Sequence, residues 1–159
     1  MAVRVMDECI GRLLVRDDGH GICEIRMLRE GEDVADEMDS PLLNCAQAQL
    51  RAYFSGERQT FDLSVSVSGT PFEQAVWQRL CAIPYGETRT YAQIAAEMGK
   101  PKAARAVGAA CGKNPVLIVV PCHRVVGSGG RLTGFAAGLD AKQRLLALEG
   151  HTVRNGRMV

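Results

Sequence analysis

The 159-residue chain has no apolar run near the roughly 18 to 20 residues that a membrane-spanning helix needs. Its N-terminus, Met1-Ala2-Val3-Arg4-Val5-Met6-Asp7-Glu8, turns acidic where a secretory signal would be apolar, so a cytoplasmic location is expected. The six cysteines, at 9, 23, 45, 81, 111 and 122, lack framework spacing, which argues against a disulfide scaffold and for reduced thiols. There is no internal repeat and no low-complexity tract. What remains is one domain, or one compact domain with a smaller lobe, and 47% apolar residues suffice for its core.

A large net charge is missing too, but the near balance of +1 hides an asymmetry. Residues 1–62 carry 7 Lys/Arg against 13 Asp/Glu, a net of −6, whereas residues 63–159 carry 12 against 5, a net of +7. A basic half joined to an acidic half suggests that only one half meets a polyanion; uneven surface charge without function explains the numbers equally well.

The first 35 or so residues alternate short apolar runs, Gly11–Val15 and Gly21–Ile25, with turn signals at Asp17-Asp18-Gly19 and Glu30-Gly31. This predicts two or three antiparallel strands. Ser40-Pro41 reads as N-cap and first residue of a helix that Gly56 closes. Phe61–Val67 alternates cleanly and predicts one more strand. Beyond Gly69 the pattern becomes helical: Phe72, Val76, Leu80 and Ile83 share one face, flanked by Trp77. Thr90-Tyr91-Ala92-Gln93 is a capping box opening a short helix through Met98. A tight turn at Gly99-Lys100-Pro101 and a second helix from about Pro101 to Cys111 complete a helix-turn-helix pattern. Asp140 with Gln143 is expected to cap a last helix ending at Glu149-Gly150. The fold class is therefore α+β, a small N-terminal lobe of antiparallel sheet and helix (residues 1–68) before a mainly helical C-terminal domain (residues 69–159).

Pro121-Cys122-His123-Arg124 concentrates the chemistry. The β-branched run Val116–Val120, bounded by Pro115 and Pro121, reads as an interior strand that delivers Cys122 to its end. Thiolate is the nucleophilic form of cysteine, and a neighbouring imidazole is a common way to make it near neutral pH. A Cys-His pair alone is a weak motif, and by itself reads more readily as a buried structural cysteine. In the second helix, Gly108 costs up to about 1 kcal/mol against alanine. The small face of Ala104, Ala106 and Gly108 suits either helix packing or close approach to a minor groove, where little sequence can be read. Arg105, the one long cation on that face, is either an ordinary exposed arginine or a side chain that enters a duplex.

Taken in order, Gly69-Thr70-Pro71-Phe72, Val76-Trp77, Ile83–Thr88, Tyr91, Lys102–Gly108, Asn114-Pro115, Pro121–Val126, Gly134–Leu139 and Leu145–Gly150 resemble the O6-alkylguanine-DNA alkyltransferases. The resemblance is strong over residues 60–150 and general over residues 1–59. It implies a stand-alone repair protein that flips O6-alkylguanine out of duplex DNA and moves the alkyl group irreversibly onto Cys122. It carries over His123 as a base acting through water, with Glu149 orienting it, Asn114 bridging the recognition helix to the cysteine segment, and Tyr91 assisting the departing guanine. Arg105 becomes the finger filling the vacated stack, with Lys102, Ala104, Ala106 and Gly108 on the DNA face, and Val125, Phe135 and Ala136 at the substrate. Arg124 is assigned to ion pairing beneath the site. The implied partner is duplex DNA, bound in the minor groove with little sequence preference by a protein monomeric in solution, with no cofactor and no membrane. O4-alkylthymine as a second substrate and cooperative binding along a duplex are both compatible with it.

Three departures from the family pattern stand out. Phe135 replaces a frequent tyrosine, Ala136 replaces a frequent serine, and the zinc of some relatives has only Cys9, His20 and Cys23 as conceivable ligands, with no compact motif and no evident fourth. No metal is expected. Two other classes compete: a damage sensor that binds without transfer, which in such relatives carries tryptophan at the cysteine position, and a turning-over cysteine hydrolase or peroxidatic thiol protein. Cys122 opposes the first; the Ala/Gly helix, Arg105 and the basic half oppose the second.

Overall fold

The computed structural model describes residues 1–34 and 37–159, which form two compact units. The first comprises residues 1–67 with 115–117, the second 68–114 with 118–159.

In the first unit β1 (Ala2–Glu8), β2 (Gly11–Asp17) and β3 (Ile22–Met27) form an antiparallel sheet in sequence order, with Val5 opposite Leu14 and Val15 opposite Ile25. Leu13, Leu14 and Val15 are all buried, as befits a central strand. Helix α1 (Pro41–Phe54) begins as its sequence dictates: Ser40 Oγ accepts the Leu43 N–H at 3.0 Å and donates to the buried Asp17 at 2.7 Å. Its buried residues Leu43, Ala46, Leu50 and Tyr53 sit at helical spacing and cover the sheet.

Two predicted strands do not form. Phe61–Val67 makes a single parallel bridge, Val65 to Ile22, held by Ile22 N–H to the Ser64 carbonyl and Ser66 N–H to the Ile22 carbonyl. Val116 bridges Ile25 without forming a ladder, and the chain then leaves the extended region at Ile118, whose φ is +75°. That left-handed conformation costs an L-residue roughly 1–2 kcal/mol. Val116–Val120 is apolar because it is buried or half-buried, whereas Phe61–Val67 mixes half-buried with exposed residues, Val65 among the latter; neither pattern reports strand pairing.

The second unit carries the predicted helices. Helix α2 (Pro71–Cys81) opens with a reciprocal capping box between Thr70 and Glu73 and buries Val76, Trp77 and Leu80. The Trp77 indole N–H donates to the Ala110 carbonyl at 2.9 Å, pinning α2 to α4 (Ala104–Gly112). Helix α3 (Tyr91–Glu97) has the Thr90–Gln93 capping box, with both bonds present. A turn with Gly99 at φ +73° leads to α4, which starts at Ala104, so Lys102 lies in the turn and not on the helix as expected. Pro101 and Lys102 form that turn, and no side chain caps α4. Strands β4 (Arg89–Thr90) and β5 (Val125–Val126) pair in parallel, bringing the start of α3 beside the segment after Cys122. Helix α5 (Leu139–Leu148) starts after Gly138 at φ +94°; Asp140 sits in its first turn without a capping bond, contrary to expectation. A hairpin of β6 (Val153–Arg154) and β7 (Arg157–Met158) ends the chain, and its Val153 and Met158 pack on Val126, Leu132 and Leu146.

Candidate active site

Cys122 opens a single 3₁₀ turn, Cys122–Arg124, directly after Pro121. The turn is held from below. Cys122 N–H donates to the Val120 carbonyl at 2.9 Å, and the Asn114 side-chain amide donates to the same oxygen at 2.7 Å. Asn114 N–H in turn reaches the Cys111 carbonyl of α4 at 3.2 Å, so this one residue links α4 to the cysteine turn. Cys122 is 4% exposed. Burial pushes its thiol up to about 11, opposed first by a hydrogen bond from Asn114 and then by the Lys142 cation. At neutral pH such a group is a thiol, and reaction through the thiolate needs a base nearby.

His123 is that neighbour. It is fully buried, and its Nε2 lies 2.7 Å from Glu149 Oε2. Arg124 grips the same carboxylate, with Nε 2.7 Å from Oε1 and Nη2 3.1 Å from Oε2. Its Nη1 donates to the Ile83 carbonyl at 2.8 Å, and its guanidinium stands 5.7 Å from the Tyr85 ring centroid. An ion-paired carboxylate only accepts hydrogen bonds, so Nε2 carries the imidazole proton and Nδ1 is left as an acceptor. Among the described residues, nothing bonds Nδ1, which is buried. Burial, reinforced by Arg124 and Lys142, holds His123 below its ordinary value of 6.5 against the pull of Glu149, so the ring is neutral. The placement of Glu149 at the end of α5, where an anion is disfavoured, is thereby explained: Arg124 is its counter-charge.

A cavity of about 650 Å³ opens over Cys122. Of the residues singled out by sequence, Tyr91, Ala104, Arg105, Gly108, Cys122, Phe135 and Ala136 line it. His123, Glu149 and Asn114 lie behind the acceptor and do not line it. Val125, expected at the substrate, is fully buried and stands behind the wall, where its carbonyl accepts from Lys142 Nζ at 2.7 Å. Lys102 flanks a separate shallow depression with Lys100 and Pro101. Along α4, Arg105, Ala106 and Ala109 are exposed and Ala104 and Gly108 half-exposed, so the helix presents a small-residue face with one long cation. The Tyr91 hydroxyl accepts from Thr133 Oγ1 at 3.2 Å, and burial raises it above its ordinary value.

Three residues of the site went unread in the sequence. Lys142 is fully buried, its Nζ donating to the carbonyls of Val125 and of Thr133, the latter at 2.9 Å. Its signal was a lysine on the apolar face of α5 formed by Ala141, Leu145 and Leu146. Thr133 joins Lys142 to Tyr91, and Cys111 shares the cavity wall with Cys122; neither has a local signature. Among the described residues, no group of three or more His, Cys, Asp or Glu is placed to hold a metal ion. Cys9 is exposed, and the Cys23 thiol contacts the Arg16 carbonyl at 3.6 Å.

Residues 71–151 match the DNA binding domain of 6-O-methylguanine DNA methyltransferase, and residues 1–67 match its ribonuclease-like domain. The chain belongs to the 6-O-methylguanine DNA methyltransferase family. The methylated-DNA–protein-cysteine methyltransferase of Methanosarcina barkeri is 45% identical over 154 residues, covering 94% of this chain and 98% of that protein. The Mycobacterium tuberculosis protein of the same name is 45% identical over 149 residues, covering 92% and 90%. Among solved structures, Mycobacterium tuberculosis OGT in complex with DNA superposes with a TM-score of 0.85 at 45% identity, covering 94% of this chain and 92% of that one. An O6-methylguanine DNA methyltransferase from Methanococcus jannaschii gives 0.67 at 27% identity, covering 94% and 92%. The two matches together span most of the chain, and the α+β reading of the sequence agrees with these neighbours.

Proposed function

We propose that this family member repairs DNA by extruding an O6-alkylguanine from the duplex into the cavity and transferring its alkyl group, once per molecule, to Cys122 Sγ. The observation that carries this reading is the arrangement around one sulfur: a buried thiol on the cavity wall, a neutral histidine beside it with an unpartnered Nδ1, and a carboxylate that fixes the tautomer. Chemistry on an atom inside the base stack requires extrusion of the nucleotide. The thiol proton passes through a bridging water to His123 Nδ1, and the thiolate attacks the alkyl carbon in line. An S–C bond forms, the C–O6 bond breaks, and guanine leaves with the electron pair while the Tyr91 hydroxyl supplies or stabilises its proton. The thioether has no easy reverse path, so the protein is consumed.

On the DNA side, the small face of α4 suits close approach to the minor groove, and Arg105 at the cavity edge fills the gap left by the extruded base. Phosphate contacts from the basic half make binding salt-sensitive and weakly sequence-specific. Phe135 supplies a ring for stacking on the base, and at Ala136 only the backbone N–H is available to O6.

The test is intact mass after mixing the protein with a duplex containing one O6-methylguanine. We expect a gain of one methyl group per molecule that does not increase with excess DNA, and none in Cys122→Ala. Selective lesion binding without a mass gain would favour a binding-only damage sensor; neither would remove the reading altogether.

The neutral histidine sets a pH dependence. Its pKa is depressed, so the active, unprotonated form is complete above the ordinary imidazole range and is lost only as pH falls through a value below 6.5. Single-turnover rates measured from about pH 5 to about pH 8 should therefore show an acidic limb with its midpoint under 6.5. A midpoint above that value would mean that the pull of Glu149 outweighs burial at His123.

A further inference from the structure

We infer that Thr133 is a positioning residue for the transfer step: its hydroxyl donates to the Tyr91 oxygen, leaves the phenol proton free for the departing guanine, and shares the charge that Tyr91 carries once that proton moves. This rests on the reading of the cavity as the O6-alkylguanine site and of Tyr91 as the group that meets the leaving base.

Thr133 is held at three points. Its backbone carbonyl accepts from Lys142 Nζ at 2.9 Å, and the same ammonium donates to the Val125 carbonyl at 2.7 Å. Its methyl group lies over Gly127, where a Cβ would stand 3.4 Å from Cγ2. Its Oγ1 stands 3.2 Å from the Tyr91 hydroxyl. A β-branched side chain has few χ1 choices, so fixing the carbonyl and the methyl group fixes where the hydroxyl points. The same assembly places Tyr91. Val125 and Val126 pair with Arg89 and Thr90, the two residues before it, and Lys142 Nζ stands 5.8 Å from its ring centroid. Tyr91 and Thr133 line the cavity together with Cys122.

A phenol hydroxyl lies in the plane of its ring, with the proton on one side and an accepting lone pair on the other. When it accepts from Thr133, its own proton is turned away and is free for a ligand. As the C–O6 bond breaks, its electron pair stays with guanine and the Tyr91 proton passes to the base. The oxygen left behind can only accept, so from that moment the bond runs from Thr133 in one direction. Burial raises Tyr91 and the Thr133 bond opposes it, which makes the phenol a stronger acid than burial alone would leave. At 3.2 Å the bond has room to shorten as charge develops. The proton count closes when the one that His123 took from the thiol returns to Tyr91 through water.

The experiment is a double-mutant cycle on single-turnover transfer from a duplex with one O6-methylguanine, at saturating DNA, read by intact mass. It compares wild type, Thr133→Val, Thr133→Ser, Tyr91→Phe and the combination of Thr133→Val with Tyr91→Phe. Rates are taken over the molecules that finally carry the methyl group, so a misfolded fraction does not enter. Thr133→Val keeps the branched shape over Gly127 and lacks the hydroxyl. It should slow transfer by about tenfold, the lower end for one hydrogen bond to a charged oxygen. Binding of the lesion duplex should stay within about twofold of wild type, and Thr133→Ser should restore most of the rate. In the Tyr91→Phe background, itself slow, Thr133→Val should change the rate by no more than about twofold, the scatter of uncoupled sites. Equal slowing in both backgrounds, Thr133→Val at the wild-type rate, weakened binding in place of slowed transfer, Thr133→Ser as slow as Thr133→Val, or Tyr91→Phe as fast as wild type overturns the inference, while self-alkylation at Cys122 stands. A wild type that gains no methyl group overturns the proposed function, and the inference with it.

Discussion

Replacing Glu149 with alanine should lower the unfolding free energy by about 3–5 kcal/mol, the cost of stranding one member of a buried ion pair. Glu149 and His123 have fully buried side chains and Arg124 is 8% exposed there. Without the carboxylate, Arg124 loses contacts at 2.7 and 3.1 Å and retains the Ile83 carbonyl and the face of Tyr85, neither of which carries a counter-charge. Set against total stabilities of about 5–15 kcal/mol, such a loss leaves the folded state marginal at physiological temperature. Alkyl transfer should fall as well, because nothing then holds the His123 proton on Nε2.

Urea unfolding of wild type, Glu149→Ala and Glu149→Gln distinguishes the causes. The midpoint should shift far in the alanine variant at constant slope and less in glutamine, which can still accept from Arg124. Removing both charges together, as Arg124→Met with Glu149→Leu, should recover much of the lost stability, since an apolar replacement of a buried pair leaves no orphaned charge. A shift worth less than about 1 kcal/mol in Glu149→Ala, as for an exposed pair, would show that water reaches the arginine.

The second large effect is expected at Lys142, here with activity changing more than stability. Its Nζ satisfies the buried Val125 carbonyl and the half-buried Thr133 carbonyl, and it is the cation whose charge opposes the burial of the Cys122 thiolate. Substitution by methionine leaves those carbonyls without their donor, at about 1–3 kcal/mol for an unsatisfied group, but also removes the desolvation that pushes Lys142 itself down. These contributions have opposite sign, so the net stability change should be smaller than at Glu149. Nothing offsets the loss at the sulfur. Since one pKa unit is a tenfold change in thiolate fraction below the pKa, transfer at neutral pH should slow by about tenfold for each unit that the thiol rises.

Trapping Cys122 with iodoacetamide across pH, with the labelled peptide identified by mass, should give a higher apparent pKa in Lys142→Met than in wild type. If transfer slows while that pKa stays put, Lys142 serves only to hold the wall between Val125 and Thr133.

Much of this architecture is written in local chemistry. Ser40 before Pro41, and Thr90 three residues before Gln93, are signals that act within one turn, so α1 and α3 begin where the residues say. The antiparallel sheet follows from alternating runs separated by turn residues, for the same short-range reason. The family, too, could be recognised from its ordered motifs before any coordinates.

Elements that depend on distant partners were not legible in that way. Val116–Val120 and Phe61–Val67 have the composition of strands, yet pairing requires a free edge in register, and each run makes isolated bridges instead of a ladder. At Ile118 a β-branched residue takes a left-handed conformation that its own preferences oppose, because the buried turn around Asn114 and Cys122 fixes the path of the chain. The same holds for the chemistry. Nothing local says that Arg124 neutralises Glu149, that Val125 stands behind the cavity, or that Lys142, Thr133 and Cys111 converge on Tyr91 and Cys122. Charges and thiols act through space over several ångströms in a medium of low polarity, and only the folded chain brings α4, α5 and the cysteine turn within that distance.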